Sequence, residues 1–367
     1  MKNLLVYQIA LTQIPRIGNV TAKHLISYCG GVNEVFERSL SYLKKIPGIG
    51  VQLAENIKSF NGFERIEREV ATLKRKSINT HFFLDENYPY RLKQISDGPI
   101  MLYSRGKSNL NPSKCIAIVG TRKMTPYGQQ FITQLIESLV PYQPTIVSGL
   151  AYGVDVWAHK QSLKNQLPTF GIVAHGLDQI YPSAHANVAS DMMQTNGAII
   201  TEYMTKTSPR KEYFPMRNRL VAGFVDAVIV VESARKGGSL ITAELANQYN
   251  RDVLALPGDV MSTYSAGCNA LIKENKAHLI EQSEDLIKLL NWDIEPASVK
   301  VNKSLEDFSA NERTVLILLQ EHGVMSIDEL TIRTGFESNL IAITLLELEM
   351  NNGIISLPGK RYQSLVG

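Results

Sequence analysis

The chain has 367 residues, 44% of them apolar and 20% charged, with a formal net charge of +3. Such a length exceeds one ordinary core and points to two or three domains, and the composition is that of a globular protein, not a disordered or fibrous one. A net charge this small does not announce a nucleic-acid partner, so local clustering has to decide that question. Cys29, Cys115 and Cys268 are far apart and form no CxxC pair, which speaks against a disulfide framework and a zinc site. The N-terminal stretch lacks the long apolar core and small-residue cleavage site of a signal peptide. No run approaches the ~20 apolar residues of a membrane span. The expected location is the cytoplasm, with no membrane partner.

Residues 1–63 read as a helical domain. A pattern occurs twice in it, "IPRIGNVTAKHLI" (Ile14–Ile26) and "IPGIGVQLAENI" (Ile46–Ile57). Each copy has apolar–Pro–x–apolar–Gly followed by an amphipathic helix, the layout of a helix-hairpin-helix unit. The Pro-x-x-Gly turn opens backbone N–H groups at a helix N-terminus. These either face a phosphate or simply close a packing module, and both readings stand.

Residues 64–292 are expected to form an extended Rossmann-like domain. "FFLDENYPYRL" and "GPIMLYSRG" look strand-like. From Cys115 onward short apolar strands, "CIAIVG", "TIVSG", "TFGIVAHG", "AIITEY", "DAVIVVE" and "DVLALPG", alternate with helical segments such as "YGQQFITQLIESLV". Strand–helix alternation with near-continuous apolar strands predicts an α/β fold with a doubly wound parallel sheet. Residues 293–307, which include Pro296, read as a linker. Residues 308–367 give three helices closed by glycine and then a hairpin, a winged-helix domain.

In a doubly wound sheet ligands bind beyond the carboxyl ends of the strands. Five polar, glycine-bearing segments should converge there. They are "GTRKM" with Gly120, Thr121, Arg122 and Lys123; "SGLAYGVD" with Ser148 and Gly149; "FPMRNR"; "ARKGGSLITAE" with Gly237, Gly238 and Ser239; and "STYSAGCNALI" with Gly267 and Asn269. The stretch Thr205–Arg219 adds Lys206, Arg210, Lys211, Arg217 and Arg219 against the single acid Glu212, with Tyr213 and Phe214 in its middle. Cations for backbone phosphates, interleaved with rings on which unpaired bases stack, suit a single strand. The plain alternative is a solvated loop whose rings pack inward.

Several chemistries are missing. There is no GxxxxGK[ST] triphosphate loop, and "VGTRKM" has one glycine where a dinucleotide fold wants three. No HExxH or clustered His/Cys set suggests a metal, and no cofactor is expected. Asp155 and His159 lie four apart on one helix face. They read as structural: the aspartate sits in the first turn, where the helix dipole favours it, and the histidine packs below.

"AIVGTR", "SGLAYGVDVWAH", "HGLDQIYP", "FPMRNRLVAG", "GGSLITA" and "LPGD…GCNALI" occur in the order found in the DNA-processing A (DprA/Smf) family, which the chain resembles over most of its length. The resemblance implies a non-catalytic protein that binds single-stranded DNA, dimerises through its Rossmann-like domain and helps load a RecA-type recombinase in natural transformation. By motif it places Arg122, Lys211, Phe214, Arg217, Asn218 and Arg219 on the DNA pocket, with Ser148, Gly149, Gly237, Gly238, Ser239, Gly267 and Asn269 in its loops. Thr121 stands where the family more often has serine, which keeps the hydroxyl. "ARKGGS" has glycine where "SGS" is usual, leaving Ser239 as the remaining hydroxyl donor.

Two other readings compete. The core also resembles the "lonely guy" phosphoribohydrolases, with Glu244 in the place of a catalytic acid, although Glu232-Ser233 replaces their Pro-Gly-Gly. Alternatively the winged helix reads duplex DNA. Charge argues against that, because the stretch Phe336–Asn352 holds Glu337, Glu347 and Glu349 and no lysine or arginine. Only Lys360 and Arg361 lie at the wing, so a protein-interaction or spacing role is expected of this domain.

Overall fold

The repeated N-terminal pattern folds as a repeat. Helices Asn19–Cys29 and Val51–Lys58 begin at Gly18 and Gly50, and each is preceded by a turn residue in the left-handed region, Arg16 (φ 66°) in one copy and Gly48 (φ 77°) in the other. Each copy's helix reaches across to the other copy's turn. Asn56 Nδ2 donates to the Pro15 carbonyl at 2.9 Å, and His24 Nε2 donates to the Pro47 carbonyl at 2.9 Å. Ile14, Ile17, Ala22 and Leu25 are buried, as are their counterparts Ile46, Ile49, Ala54 and Ile57. Their core is continuous with Met101, Tyr103 and Ile199 of the neighbouring sheet and with Ile100 and Met204 flanking its strands. The structure is a computed structural model and describes residues 3–292, 305–351, 353–357 and 359–366. It divides into two compact units, one ending at Glu281 and the other beginning at Gln282.

The first unit contains strands β1 (Asn79–Phe82), β2 (Met101–Gly106), β3 (Cys115–Val119), β4 (Thr145–Ser148), β5 (Thr169–Ile172), β6 (Ala198–Thr201), β7 (Ala227–Val230), β8 (Asp252–Ala255) and β9 (His278–Leu279), in the sheet order β1-β2-β6-β5-β4-β3-β7-β8-β9. β3 to β9 pair parallel among themselves. β1 and β2 join the β6 edge antiparallel, so the sheet is mixed where a parallel one is expected. Within "FFLDENYPYRL" only Phe82 belongs to a strand, and Tyr90–Lys93 is a helical turn begun at Pro89. Proline suits that position, because its fixed φ starts a turn and it has no N–H to leave unpaired.

β3, β4, β5, β6 and β7 are buried along their whole length, which explains their unbroken apolar sequence. Arg91 clamps the base of this region. Its Nε and Nη2 donate to the two oxygens of Asp226 at 2.7 Å each, and the Cys115 N–H donates to the same carboxylate at 3.1 Å. From β3 the chain proceeds to β4, β5 and β6 on one side, then returns to β7 and β8 on the other. The β3/β7 pair is therefore the switch point, where a crevice opens at the carboxyl ends.

The second unit holds helices Ala310–His322, Ile327–Thr334 and Ser338–Met350 and strands β10 (Met325–Ser326), β11 (Ile354–Leu357) and β12 (Arg361–Ser364), ordered β10-β12-β11. Capping boxes Ser309/Glu312 and Ser326/Glu329 start the first two helices. Phe308, Leu316, Leu330, Leu345 and Ile354 meet in one core. This is the winged helix expected from the sequence. Most of the expected linker, 293–304, lies outside the described residues. Among the described residues no helix is long and apolar enough to cross a membrane.

Candidate nucleic-acid interface

A cleft of about 680 Å³ lies at the switch point, lined by the ends of β3, β4 and β7 and the starts of the following helices. Its first wall is the turn after β3. The Thr121 N–H donates to the Glu232 carbonyl at 2.7 Å, and the Thr121 carbonyl accepts from Val154 N–H at 3.2 Å. The turn is thus stitched between β7 and helix Val154–Lys164. Glycine is required on both sides of that stitch. A Cβ on Gly120 would lie 2.6 Å from Val154 Cγ2, and one on Gly153 (φ +76°) would lie 2.3 Å from the Thr121 oxygen. Arg122 and Lys123 stand exposed beyond the turn, with Arg122 on the cleft and Lys123 outside it. The Thr121 hydroxyl accepts from Lys123 N–H at 3.1 Å and so holds its own loop.

Arg217 forms the floor. It is 5% exposed, and its Nη1 donates to the Gly149 carbonyl at 2.7 Å and to the Ile172 carbonyl. A Cβ on Gly149 would come within 2.3 Å of that nitrogen, so the glycine makes room for the guanidinium. Asp155 lies beside it and accepts from Gly149 N–H at 3.1 Å and Ala151 N–H at 3.3 Å. Burial pulls the Arg217 guanidinium below the ordinary arginine range and Asp155 opposes that, while burial raises the Asp155 carboxyl against the pull of Arg217.

The rings divide. Tyr213 stacks on Tyr203 with centroids 4.6 Å apart and lies off the cleft. Phe214 lines the cleft, with the Arg122 guanidinium 5.9 Å from its centroid and the exposed Tyr181 ring 6.1 Å away. Lys211, Asn218 and Pro215 complete this wall. Opposite, Gly237, Gly238 and Ser239 open helix Gly238–Gln248, whose N-cap Gly237 offers no side-chain acceptor, so its first N–H groups remain available to an anion.

Five expected residues lie off the cleft. Besides Lys123, Arg219 is turned away: it pairs with Glu202 and donates to the Asp97 carbonyl at 2.7 Å. Ser148 is fully buried and donates to the Ile118 carbonyl at 2.6 Å. Asn269 brackets Gly258, donating to its carbonyl at 2.9 Å and accepting from its N–H at 3.2 Å. Gly267 packs on the Ser233 carbonyl, 2.7 Å from where a Cβ would sit. All four brace the loops because a distant partner claims them. Ser239 lines the cleft, but its hydroxyl donates to Ser233 Oγ at 2.8 Å, so it holds the loop instead of serving as a surviving donor.

His159 is fully buried and donates from Nδ1 to Thr169 Oγ1 at 2.6 Å, whose own hydroxyl donates to Ile146 O. Burial pushes its pKa down to about 3, so it is a neutral core group. The Glu232 carboxylate accepts from Thr125 N–H at 2.9 Å and holds the loop after Arg122. Glu244 faces a neighbouring groove and not the cleft. Sequence reasoning passed over Tyr181, although "HGLDQIYP" is among its motifs; a tyrosine in a polar loop was the available signal. Among the described residues no group of His, Cys, Asp and Glu is placed to hold a metal ion.

These features define a class: a doubly wound α/β protein with a cationic, ring-bearing cleft at its switch point, preceded by a helix-hairpin-helix tandem, in a chain that also carries a winged helix. Family models match in the same order, a SAM-like helix-hairpin-helix tandem over residues 9–60, DNA recombination-mediator protein A over 79–291 and the DprA winged helix domain over 302–360. The chain belongs to the DNA-processing A (DprA/Smf) family. It is 37% identical over 229 residues to DNA processing protein DprA of Bacillus subtilis, covering 62% of this chain and 76% of that one. It is 28% identical over 397 residues to protein Smf of Synechocystis, covering 97% and 98%. The structure of DprA from Streptococcus pneumoniae superposes with a TM-score of 0.68 at 29% identity, over 78% of this chain and 98% of that one. DNA processing protein A from Helicobacter pylori, solved for its single-stranded DNA binding mode, gives 0.54 at 32% identity, over 59% and 97%.

Proposed function

We propose that the switch-point cleft binds single-stranded DNA without cleaving it. The observation that carries this reading is the pairing of Arg122 and Lys211, exposed and with no acid partner among the described residues, with the Phe214 ring on the same wall. Two unclaimed cations answer backbone phosphates, the uncapped helix at Gly238 supplies N–H groups, and Phe214 offers a face to an unpaired base. A duplex keeps its bases stacked inside and does not reach that ring. Family membership extends the proposal. The chain protects incoming single strands in the cytoplasm, acts as a homodimer and hands the strand to a RecA-type recombinase during transformation.

The phosphoribohydrolase reading needs a carboxylate on the cleft where Glu244 was expected. Glu244 faces elsewhere, and the acid present, Asp155, is engaged by two N–H groups and lies beside Arg217. The test is titration of labelled single- and double-stranded oligonucleotides alongside an assay for base release from AMP. The single strand should bind more tightly than the duplex, with a log-salt slope of about −0.7 per neutralised phosphate, and no base should be released. Indifference to oligo-dT together with AMP hydrolysis would overturn the proposal.

A further inference from the structure

One pair of cations is left unexplained by the cleft. Arg235 and Lys236 occupy the two central positions of a turn closed by Gly237 N–H donating to the Ala234 carbonyl at 2.9 Å. Both are exposed, and neither forms a salt bridge or a side-chain hydrogen bond among the described residues; Glu274 feels Arg235 only as a weaker, longer-range charge behind its own pairing with Lys276. Two adjacent like charges at a turn tip repel each other and do little for the fold, so their favourable use is toward an external anion.

The turn is built rigidly at its base. Ser233 N–H donates to the Tyr264 carbonyl at 2.7 Å, and the Ser233 carbonyl accepts from Gly267 N–H at 2.8 Å. Ser239 Oγ donates to Ser233 Oγ at 2.8 Å, and a Cβ on Gly237 would lie 2.1 Å from the same Ser233 oxygen. The turn is also a ridge between two concavities. Ala234 and Gly237 line the cleft. Arg235 lines a second groove of about 510 Å³ between helices Gly238–Gln248 and Ala266–Lys273.

The character of that groove differs from that of the cleft. Its acids, Glu244 and Glu274, would repel a phosphate, and Glu274 is paired with Lys276 at 2.8 Å. Its other lining residues include Gln248, Asn275 and Asn247, whose amide donates to the Lys276 carbonyl at 2.9 Å, together with the apolar Leu240, Ala270 and Leu271. Amides together with apolar side chains suit an uncharged heterocycle with donors and acceptors on its edge.

We propose that the Arg235–Lys236 turn carries the strand out of the cleft, its two cations meeting successive phosphates, and that a base beyond them seats in the groove between the two helices. The inference rests on the single-strand reading of the cleft and lengthens the site that the cleft alone provides.

The test uses the full chain and two probes, oligo-dT of about six and of about fifteen nucleotides, within the range of known single-strand site sizes. Arg235→Ala/Lys236→Ala should weaken the longer probe about tenfold and lower its salt slope by about 1.4, two phosphates at ~0.7 each, with the shorter probe and the melting temperature unchanged. Equal weakening of both probes, or of neither, overturns the inference. Arg122→Ala provides the separate check. If it weakens the short probe while the double variant affects neither, the cleft stands and the extension falls; if Arg122→Ala leaves the short probe unaffected, the cleft reading itself falls.

Discussion

The switch-point cleft and the third helix of the winged-helix domain occupy the places where their folds ordinarily meet nucleic acid, and their surfaces are opposite. The cleft presents Arg122 and Lys211, without acid partners among the described residues, and the Phe214 ring beside Arg122. Helix Ser338–Met350 presents Glu347 and Glu349, no cation, and the exposed apolar residues Ile343, Leu346 and Met350, at 54%, 58% and 76% exposure. A groove of phosphates attracts the first surface and repels the second. Topology therefore supplies a position for binding, and the side chains at that position decide whether binding occurs.

The largest effect should come from the cleft floor. Arg217→Ala leaves Asp155 without its neighbouring cation and removes a donor from the Gly149 and Ile172 carbonyls, with an expected cost of ~3–5 kcal/mol in thermal or denaturant unfolding and loss of single-strand binding. Gly149→Ala should act in the same direction by crowding the guanidinium. A variant that melts like the parent would show that the floor is not fixed in this way.

Next come the exposed groups. Arg122→Ala should lose ~1.5–3 kcal/mol of binding, roughly tenfold or more in Kd, equally for oligo-dT and oligo-dC and without a change in melting temperature. Sequence-dependent loss would contradict a backbone-reading role. Phe214→Ala should cost ~1–3 kcal/mol of affinity, whereas Tyr213→Ala should appear mainly in stability, because Tyr213 stacks on Tyr203.

Acid should separate the two units. His81, His159 and His175 are held below the ordinary histidine pKa by burial, and all lie in the first unit, whereas His322 of the second is exposed. A neutral folded histidine faces an unfolded one that takes a proton near pH ~6.5. The stability it supplies is fully present above that value and is lost as pH falls toward the folded pKa, about 3 for His159. The melting temperature of the first unit should fall between about pH 7.5 and about 5, and His159→Gln should flatten that slope. The same acid dependence in both units would remove this distinction.

The smallest effect is expected from the wing. Lys360→Glu should change single-strand affinity by less than about twofold, since a lone exposed charge, in a unit whose third helix has acids as its only charged residues, is weakened by salt screening. A large loss would bring the winged helix back as a DNA-binding surface.

Much of the fold is legible in local sequence pattern. The apolar runs of β3 to β8, the glycine turn at Gly120, the duplicated Pro-x-x-Gly turns and the acidic third helix all follow from it, since strand burial, turn geometry and charge on a helix are properties of neighbouring residues. The antiparallel edge formed by β1 and β2 is hidden from such a reading, because a short strand does not reveal which partner it will pair with.

By itself, then, the sequence determined most of the strands, helices and turns, though not the helical turn at Tyr90–Lys93, and that cations and rings crowd the stretch before β7. Only the tertiary structure decided which of those groups are free. Arg219 meets Glu202, Ser148 meets Ile118 and Asn269 meets Gly258, while Arg122 and Lys211 meet no acid among the described residues and Tyr181 comes up beside Phe214. The physical reason is that periodicity is set by backbone geometry over a few residues. The availability of a charge depends instead on whether folding delivers a partner from elsewhere in the chain, as it delivers Asp226 to Arg91 across 135 positions.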